Sequence, residues 1–233
     1  QKYEQLKSMA TGQKDAQEFY SQFIDILATT LALRNIFEAT QVSSVKCNTC
    51  STVSMTTDPS RLLTLPVTAP LSTIAACLDR YFKPELLTGL ERSFCAKCNG
   101  NKDRTRTLRL ASMPMIFAVG LKRFAWTLAK GSFKLSHAVS FSTKLDFTVA
   151  PLSNYLVPGL VGARYELFGI IVHGGGVGGG HYWAYTKDCY DHQWRHFNDG
   201  APAPVKTAAE IEAIANQTAE AGGPYILFYK RVP

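Results

Sequence analysis

The chain has 233 residues, 46% of them hydrophobic and 18% charged, a globular composition long enough for one sizeable core or a core with a subdomain. No run approaches the roughly eighteen uncharged apolar residues of a membrane span, and no basic-then-apolar amino-terminal stretch reads as a secretory signal. The formal net charge of +7 is scattered, so it gives little reason to expect a nucleic-acid surface. The first residue is Gln1, not Met, which leads to the expectation that the natural chain starts elsewhere.

Asp15 to about Leu33 reads as a helix, with Phe19, Phe23, Ile26 and Leu27 at three- and four-residue spacing and Asp15 and Glu18 in the first turn, where the helix dipole favours them. From Ile36 to Thr57 the pattern shortens toward strand-like alternation, interrupted at CNTC. A second helix is predicted over 72–82, stopped by Pro84. After Cys98 the chain is strand-rich: 104–110, 115–124, 166–173, 181–186, 193–198 and 224–231 are dense in β-branched and aromatic residues. Arg104, Arg106 and Arg109 form the one dense basic cluster, and their alternation with Thr105, Thr107 and Leu108 predicts the solvated face of a strand. Thr207 and Glu210 make a capping-box pattern that opens a short helix. The fold class is therefore α+β, a helical beginning and a mostly antiparallel sheet at the end, with 34–110 as a separate metal-held lobe.

Four of the six cysteines form two C-x-x-C pairs, Cys47/Cys50 and Cys95/Cys98. Each pair can make a tight knuckle, and two knuckles supply the tetrahedral four-sulfur shell that structural zinc prefers. Without a secretory signal this reading is preferred to disulfides or unrelated thiols, and an intracellular, reducing setting (cytoplasm and/or nucleus) is expected. The helix around Ile74 to Phe82 is expected to loop out between the knuckles. Cys77, inside that helix, reads as a packing residue.

Of the five histidines, His137 and His192 read as surface residues, and His173 and His196 as packing or locally hydrogen-bonded. His181 follows GGGVGGG and directly precedes an aromatic strand. A hairpin joining 181–186 to 193–198 would bring Asn198 or Asp199 beside it, the orienting partner that a general base needs. A histidine that merely ends a glycine loop fits the spacing equally well. The glycines at 174–176 and 178–180 are either a plain connector or a place where backbone approaches an extended substrate closely.

Several strings in order resemble the ubiquitin-specific protease family: QKDAQEF at 13–19, CNTC, CAKC, LKRF at 121–124, GHYWAY at 180–185, WRHFND at 194–199 and the ending GPYILFYKR. The resemblance spans essentially the whole chain. It implies a papain-like thiol protease with an incomplete thumb (1–33), zinc-bearing fingers (34–110) and a palm sheet (111–233), acting on the (iso)peptide bond after ubiquitin's carboxyl-terminal glycine. It implies His181 as general base, Asn198 as its orienter and Asp199 as a neighbouring acid that can assist. Asp15 and Glu18 would hold the arginine-bearing ubiquitin tail, with Gly180 and Tyr182 beside it, and Cys47, Cys50, Cys95 and Cys98 would hold zinc. Small residues and aromatic walls such as Tyr182 and Trp183 suit a narrow channel for a Gly-Gly tail. The partner would be ubiquitin or ubiquitinated proteins, with no membrane and no nucleic acid.

The family's G-x-T-C-Y-x-N box, which carries the nucleophilic cysteine, is not among these residues. The expectation is that the nucleophile lies upstream of Gln1 and that these residues alone do not catalyse. A non-catalytic ubiquitin-binding scaffold of the same fold is the alternative. A zinc-dependent nucleic-acid module fits the late motifs poorly.

Overall fold

The computed structural model describes residues 14–31, 33–70, 72–200 and 202–233. Gln13, the first residue of QKDAQEF, lies outside them. The helices are α1 (Ala16–Thr30), α2 (Arg34–Phe37), α3 (Ile74–Phe82) and α4 (Ala208–Ile214). The first eight strands are β1 (Ala39–Cys47), β2 (Val53–Ser60), β3 (Leu63–Pro66), β4 (Glu85–Leu87), β5 (Ser93–Cys95), β6 (Gly100–Lys102), β7 (Arg104–Ser112) and β8 (Ile116–Lys122). The rest are β9 (Phe124–Thr127), β10 (Gly131–Lys134), β11 (Lys144–Asp146), β12 (Arg164–Gly175), β13 (Gly180–Lys187), β14 (Trp194–Phe197), β15 (Val205–Lys206) and β16 (Ala221–Val232).

The large sheet runs β15-β14-β13-β12-β16-β8-β3, with β11 paired to the start of β12. Every pairing in it is antiparallel except β3 with β8. Its core side carries Leu65, Leu121, Tyr165, Ile170, Leu227 and Tyr229, all essentially inaccessible to water. The phenols inside this core find partners, Tyr165 donating to Pro114 O and Tyr229 to Ser142 O, so their burial leaves no hydroxyl orphaned. Helix α3 packs on this core through Ile74, Cys77, Leu78 and Phe82, a stripe at helical spacing, with the Thr73 hydroxyl capping its first turn. A second sheet runs β2-β1-β7-β4, and β5 and β6 pair as a separate hairpin. Among the described residues, no helix is long and apolar enough to cross a membrane.

The structure corrects several expectations. Helix α1 buries Ile24 and Ala28, whereas Phe19 and Phe23 stack on each other on its outer face. The inner face is chosen by the sheet: Gln17 Nε2 donates to Leu121 O and Tyr225 O, and Tyr20 packs edge-on against Phe228. The strand predicted over 115–124 breaks between β8 and β9. There the Arg123 side chain turns inward, fully buried, and donates to the carbonyls of Pro224, Leu135 and His137. Residues 34–110 do not form one lobe, because β3 pairs with β8 in the large sheet and α3 packs into its core rather than looping out. The arginines of β7 are cross-links more than a solvated face. Arg104 donates to Phe94 O and Val45 O, Arg106 pairs with Glu85, and Arg109 reaches Phe82 O. His137 is half-buried rather than a surface residue.

Leu121 sits fully buried in the sheet centre, so Leu121→Ala is expected to lower unfolding free energy by about 2–5 kcal/mol in urea titrations. Met55→Ala, on the exposed edge strand β2, should stay within about 0.5 kcal/mol of the parent.

Candidate active site and metal centre

Strands β12 and β13 form a hairpin closed by the glycine run, with Gly176 N donating to Gly179 O across the turn. Gly180 cannot be another residue: a Cβ there would lie 2.2 Å from His173 Nε2 and 2.5 Å from Gly174 O. His181 comes next and pairs across the ladder with Gly174. Its ring lies beside Trp183, with centroids 5.8 Å apart. Strand β14 pairs with β13 from Ala184↔Phe197 onward, so the residue after Phe197 returns toward the hairpin's open end. As a result Asn198 Oδ1 lies 2.5 Å from His181 Nε2, and Asp199 Oδ2 lies 3.7 Å from the same nitrogen. Both expected orienters are therefore at the histidine.

An amide oxygen only accepts, so the Asn198 contact places the imidazole proton on Nε2 and leaves the Nδ1 lone pair as the basic atom. The half-exposed ring retains access to a reacting group.

The chain neighbours of His181, Gly180 and Tyr182, line a cleft of about 560 Å³. Its walls are the start of α1 (Lys14, Asp15), the β9–β10 hairpin (Phe124, Trp126, Ser132), the glycine turn (Val177, Gly179) and, from β12 and β13, His173, Gly180 and Tyr182. Asp15, Gly180 and Tyr182, which the resemblance assigned to the ubiquitin tail, all line this cleft. Asp15 already caps α1 through Oδ1, with Gln17 N and Glu18 N donating, and takes the Tyr225 hydroxyl on Oδ2. Burial raises the Tyr182 phenol above its usual range, and the Asp15 charge adds to the effect. Glu18 is exposed, does not line the cleft, and accepts from Gln22. Trp183 is not a wall of the cleft either; its ring packs beneath Gly174 and Gly222. The hairpin residues Phe124 and Trp126 were not foreseen, although alternation around the turn at Lys130-Gly131 carries a hairpin signal.

The two C-x-x-C knuckles do meet. Their four sulfurs lie within 4.8 Å of one another, with Cys47–Cys98 at 4.0 Å and Cys50–Cys95 at 3.6 Å. A tetrahedron with metal–sulfur bonds of about 2.3 Å needs sulfurs about 3.8 Å apart, so the four can hold a metal ion. Each knuckle closes on a residue in the left-handed region just after its second cysteine, Ser51 at φ +59° and Asn99 at φ +46°. Hydrogen bonds from the Thr52 hydroxyl and amide draw the Cys50 thiol down to about 6. Cys98 is pushed up to about 12, chiefly by its hydrogen bond with Cys50. Four crowded thiols cannot all ionise unaided, and a bound cation removes that conflict.

The remaining cysteines stand apart. Cys77 is fully buried in α3, and burial raises its thiol to about 11. Cys189 is exposed in the turn after β13, at the strand end opposite His181 and about 20 Å from it by strand rise.

A long-range proton–nitrogen correlation spectrum of the imidazoles should show His181 protonated on Nε2 and bare on Nδ1. Asn198→Ala should mix the two tautomers; an unchanged spectrum would contradict the assigned contact.

Residues 1–229 match the ubiquitin carboxyl-terminal hydrolase family. Ubiquitin carboxyl-terminal hydrolase Usp2 of Drosophila melanogaster is 30% identical over 200 residues, covering 85% of this chain and 20% of that protein. Ubiquitin carboxyl-terminal hydrolase 4 of Saccharomyces cerevisiae is 31% identical over 212 residues, covering 85% of this chain and 22% of that protein. Among solved structures, the SAGA Ubp8/Sgf11/Sus1/Sgf73 DUB module bound to ubiquitin aldehyde contains a similar chain, with TM-score 0.78 and 26% identity over 95% of this chain and 50% of that one. A second structure of that module, bound to monoubiquitin, gives TM-score 0.79 at 28% identity, covering 95% of this chain and 49% of that one. The chain thus spans about a fifth of these curated relatives and about half of these solved chains. By these matches the chain belongs to the ubiquitin carboxyl-terminal hydrolase family and has the ubiquitin-specific protease fold.

Proposed function

We propose that this protein is a cysteine-type deubiquitinase that hydrolyses the (iso)peptide bond after ubiquitin's carboxyl-terminal glycine. The observation that carries the reading is the His181 Nε2–Asn198 Oδ1 contact, made by the residue between Gly180 and Tyr182, which line a cleft with a glycine-rich wall. In that geometry Nδ1 of His181 takes the proton of an attacking thiol and returns it to the leaving amine, while Asn198 keeps the ring in the right tautomer. The cleft suits an extended tail without side chains, because the turn through Val177 and Gly179 and the Gly180 backbone come close on one side. The partner is ubiquitin or a ubiquitinated protein, in a reducing intracellular compartment.

The nucleophile belongs to a part of the protein outside these residues. Four thiols share the metal centre, Cys77 is sealed in the core, and Cys189 stands at the far end of β13. That distribution also supports a second reading, a ubiquitin-binding scaffold that does not cleave.

The whole protein, treated with ubiquitin bearing a thiol-reactive carboxyl terminus, should form a covalent adduct. Loss of turnover by about 10²–10⁴-fold in His181→Ala is expected. Asn198→Ala should lose less, since Asp199 lies 3.7 Å from the same nitrogen, and the Asn198→Ala/Asp199→Ala pair should approach His181→Ala. Ubiquitin binding without adduct would instead make the protein a scaffold, and neither would sink the assignment.

The metal of the four-cysteine centre is proposed to be zinc, held as a closed structural site. Elemental analysis should find stoichiometric zinc that Cys50→Ser removes, together with amide exchange protection in β5 and β6. Protection unchanged after zinc removal would refute the structural role.

A further inference from the structure

Lys134, the last residue of β10, sends its half-buried ammonium behind His173, one of the residues that line the cleft. Nζ lies 2.7 Å from His173 Nδ1 and donates to His173 O at 3.0 Å, Gly175 O at 2.8 Å and Ala219 O at 2.8 Å. Its near partners are thus three backbone carbonyls and an imidazole, with no carboxylate among them. Among the described residues only the more distant Glu220 charge favours this ammonium, and burial works against it, so its donors must supply something that an apolar side chain of similar length would not.

What they grip is specific. The carbonyls of His173 and Gly175 flank Gly174, and Gly174 is the residue opposite His181 in the β12–β13 ladder. A Cβ on Gly174 would meet the Trp183 ring at 3.0 Å, and that ring lies beside His181. The third carbonyl, Ala219 O, belongs to the loop whose Glu220 O accepts from Gly175 N. One ammonium therefore ties the β9–β10 hairpin, the end of β12 and the loop before β16 into one knot. His173 completes it. The ammonium shares its three N–H groups among four acceptors and can only donate, so Nδ1 is the bare nitrogen and Nε2 carries the proton, and Nε2 stands where any side chain on Gly180 would go. Burial first, and the Lys134 charge second, hold the His173 imidazole down to about 4, so it is neutral and able to accept near pH 7.

We propose that Lys134 is a positioning residue of the catalytic site: by holding the carbonyls on either side of Gly174 and the His173 ring it fixes both the strand opposite His181 and the His173 wall of the cleft that receives the ubiquitin tail. The second half of this inference rests on the deubiquitinase reading; the first does not.

The experiment pairs two readouts on the protein and on Lys134→Met and Lys134→Arg. Calorimetric titration measures affinity for ubiquitin and for ubiquitin lacking its last two glycines. Imidazole correlation spectra follow His173 and His181. Lys134→Met is expected to bind the truncated ubiquitin like the parent and to lose the preference for intact ubiquitin by on the order of tenfold. The His173 and His181 ring signals should shift with it, and Lys134→Arg, which keeps a cationic donor, should recover part of both. An unchanged preference with unmoved ring signals would overturn the proposal. If the parent itself does not distinguish the two ubiquitins, the deubiquitinase reading fails, and the ring signals alone decide whether Lys134 positions His181. Should Lys134→Met not fold, His173→Gln and His173→Leu replace it. The amide of Gln can accept from Lys134 and Leu cannot, so equal behaviour of the two would overturn the proposal.

Discussion

The antiparallel pairing of β12 with β16, two strands of twelve residues each, is the interaction on which the rest of the molecule depends. It sets the centre of the large sheet, offers β8 a place on one side and β13 on the other, and carries the core residues Ile170, Val172, Leu227 and Tyr229. The ladder is regular through Leu167 and shifts register three times toward Gly174, where a positive-φ glycine, Gly222, passes under the Trp183 ring. The sheet is thus regular at the start of β12 and irregular from Leu167 toward the glycine turn. His181 sits at that boundary, on a strand whose far end is locked to β14.

Two cations shape the same boundary from within. Arg123 and Lys134 both donate to backbone carbonyls, Arg123 through Nε and Nη1 at the corner where β8 gives way to β9 and Lys134 where β10 returns. Burial lowers both, Arg123 to about 10 and Lys134 to about 8, and both still hold the charge that makes such hydrogen bonds strong near pH 7. Carbonyls at irregular strand ends have no ladder partner, and these side chains provide one. The smaller sheet solves the equivalent problem differently, with four thiols gathered beside it and Arg104 cross-linking its strands.

Much of the site was legible because its chemistry depends on local spacing. C-x-x-C pairs make knuckles whatever the fold, and a hairpin from 181–186 to 193–198 brings Asn198 back by geometry alone. The Thr207–Glu210 capping box is likewise a local device, and it forms as read. The misreadings lie where a distant element decides. The Phe19/Phe23 stripe of α1 has the right period but the wrong face, because the sheet takes Gln17, Tyr20, Ile24 and Ala28 instead. Nothing near Arg123 announces a buried guanidinium, whose acceptors come from Leu135, His137 and Pro224. Lys134 is a surface lysine in any window of sequence, since its partners arrive from β12 and the loop at Ala219. The 34–110 lobe failed for a similar reason: a parallel pairing of β3 with β8 cannot be read from either strand.

In the proposed deubiquitinase the cleft between the β9–β10 hairpin and the glycine turn receives the tail of ubiquitin and leads it toward His181. Backbone amide exchange with and without ubiquitin tests it most directly. Slowed exchange at 124–134 and 174–182 with intact ubiquitin, lost when the last two glycines are removed, is the predicted result. Protection confined to other surfaces, or equal with both ubiquitins, would contradict it.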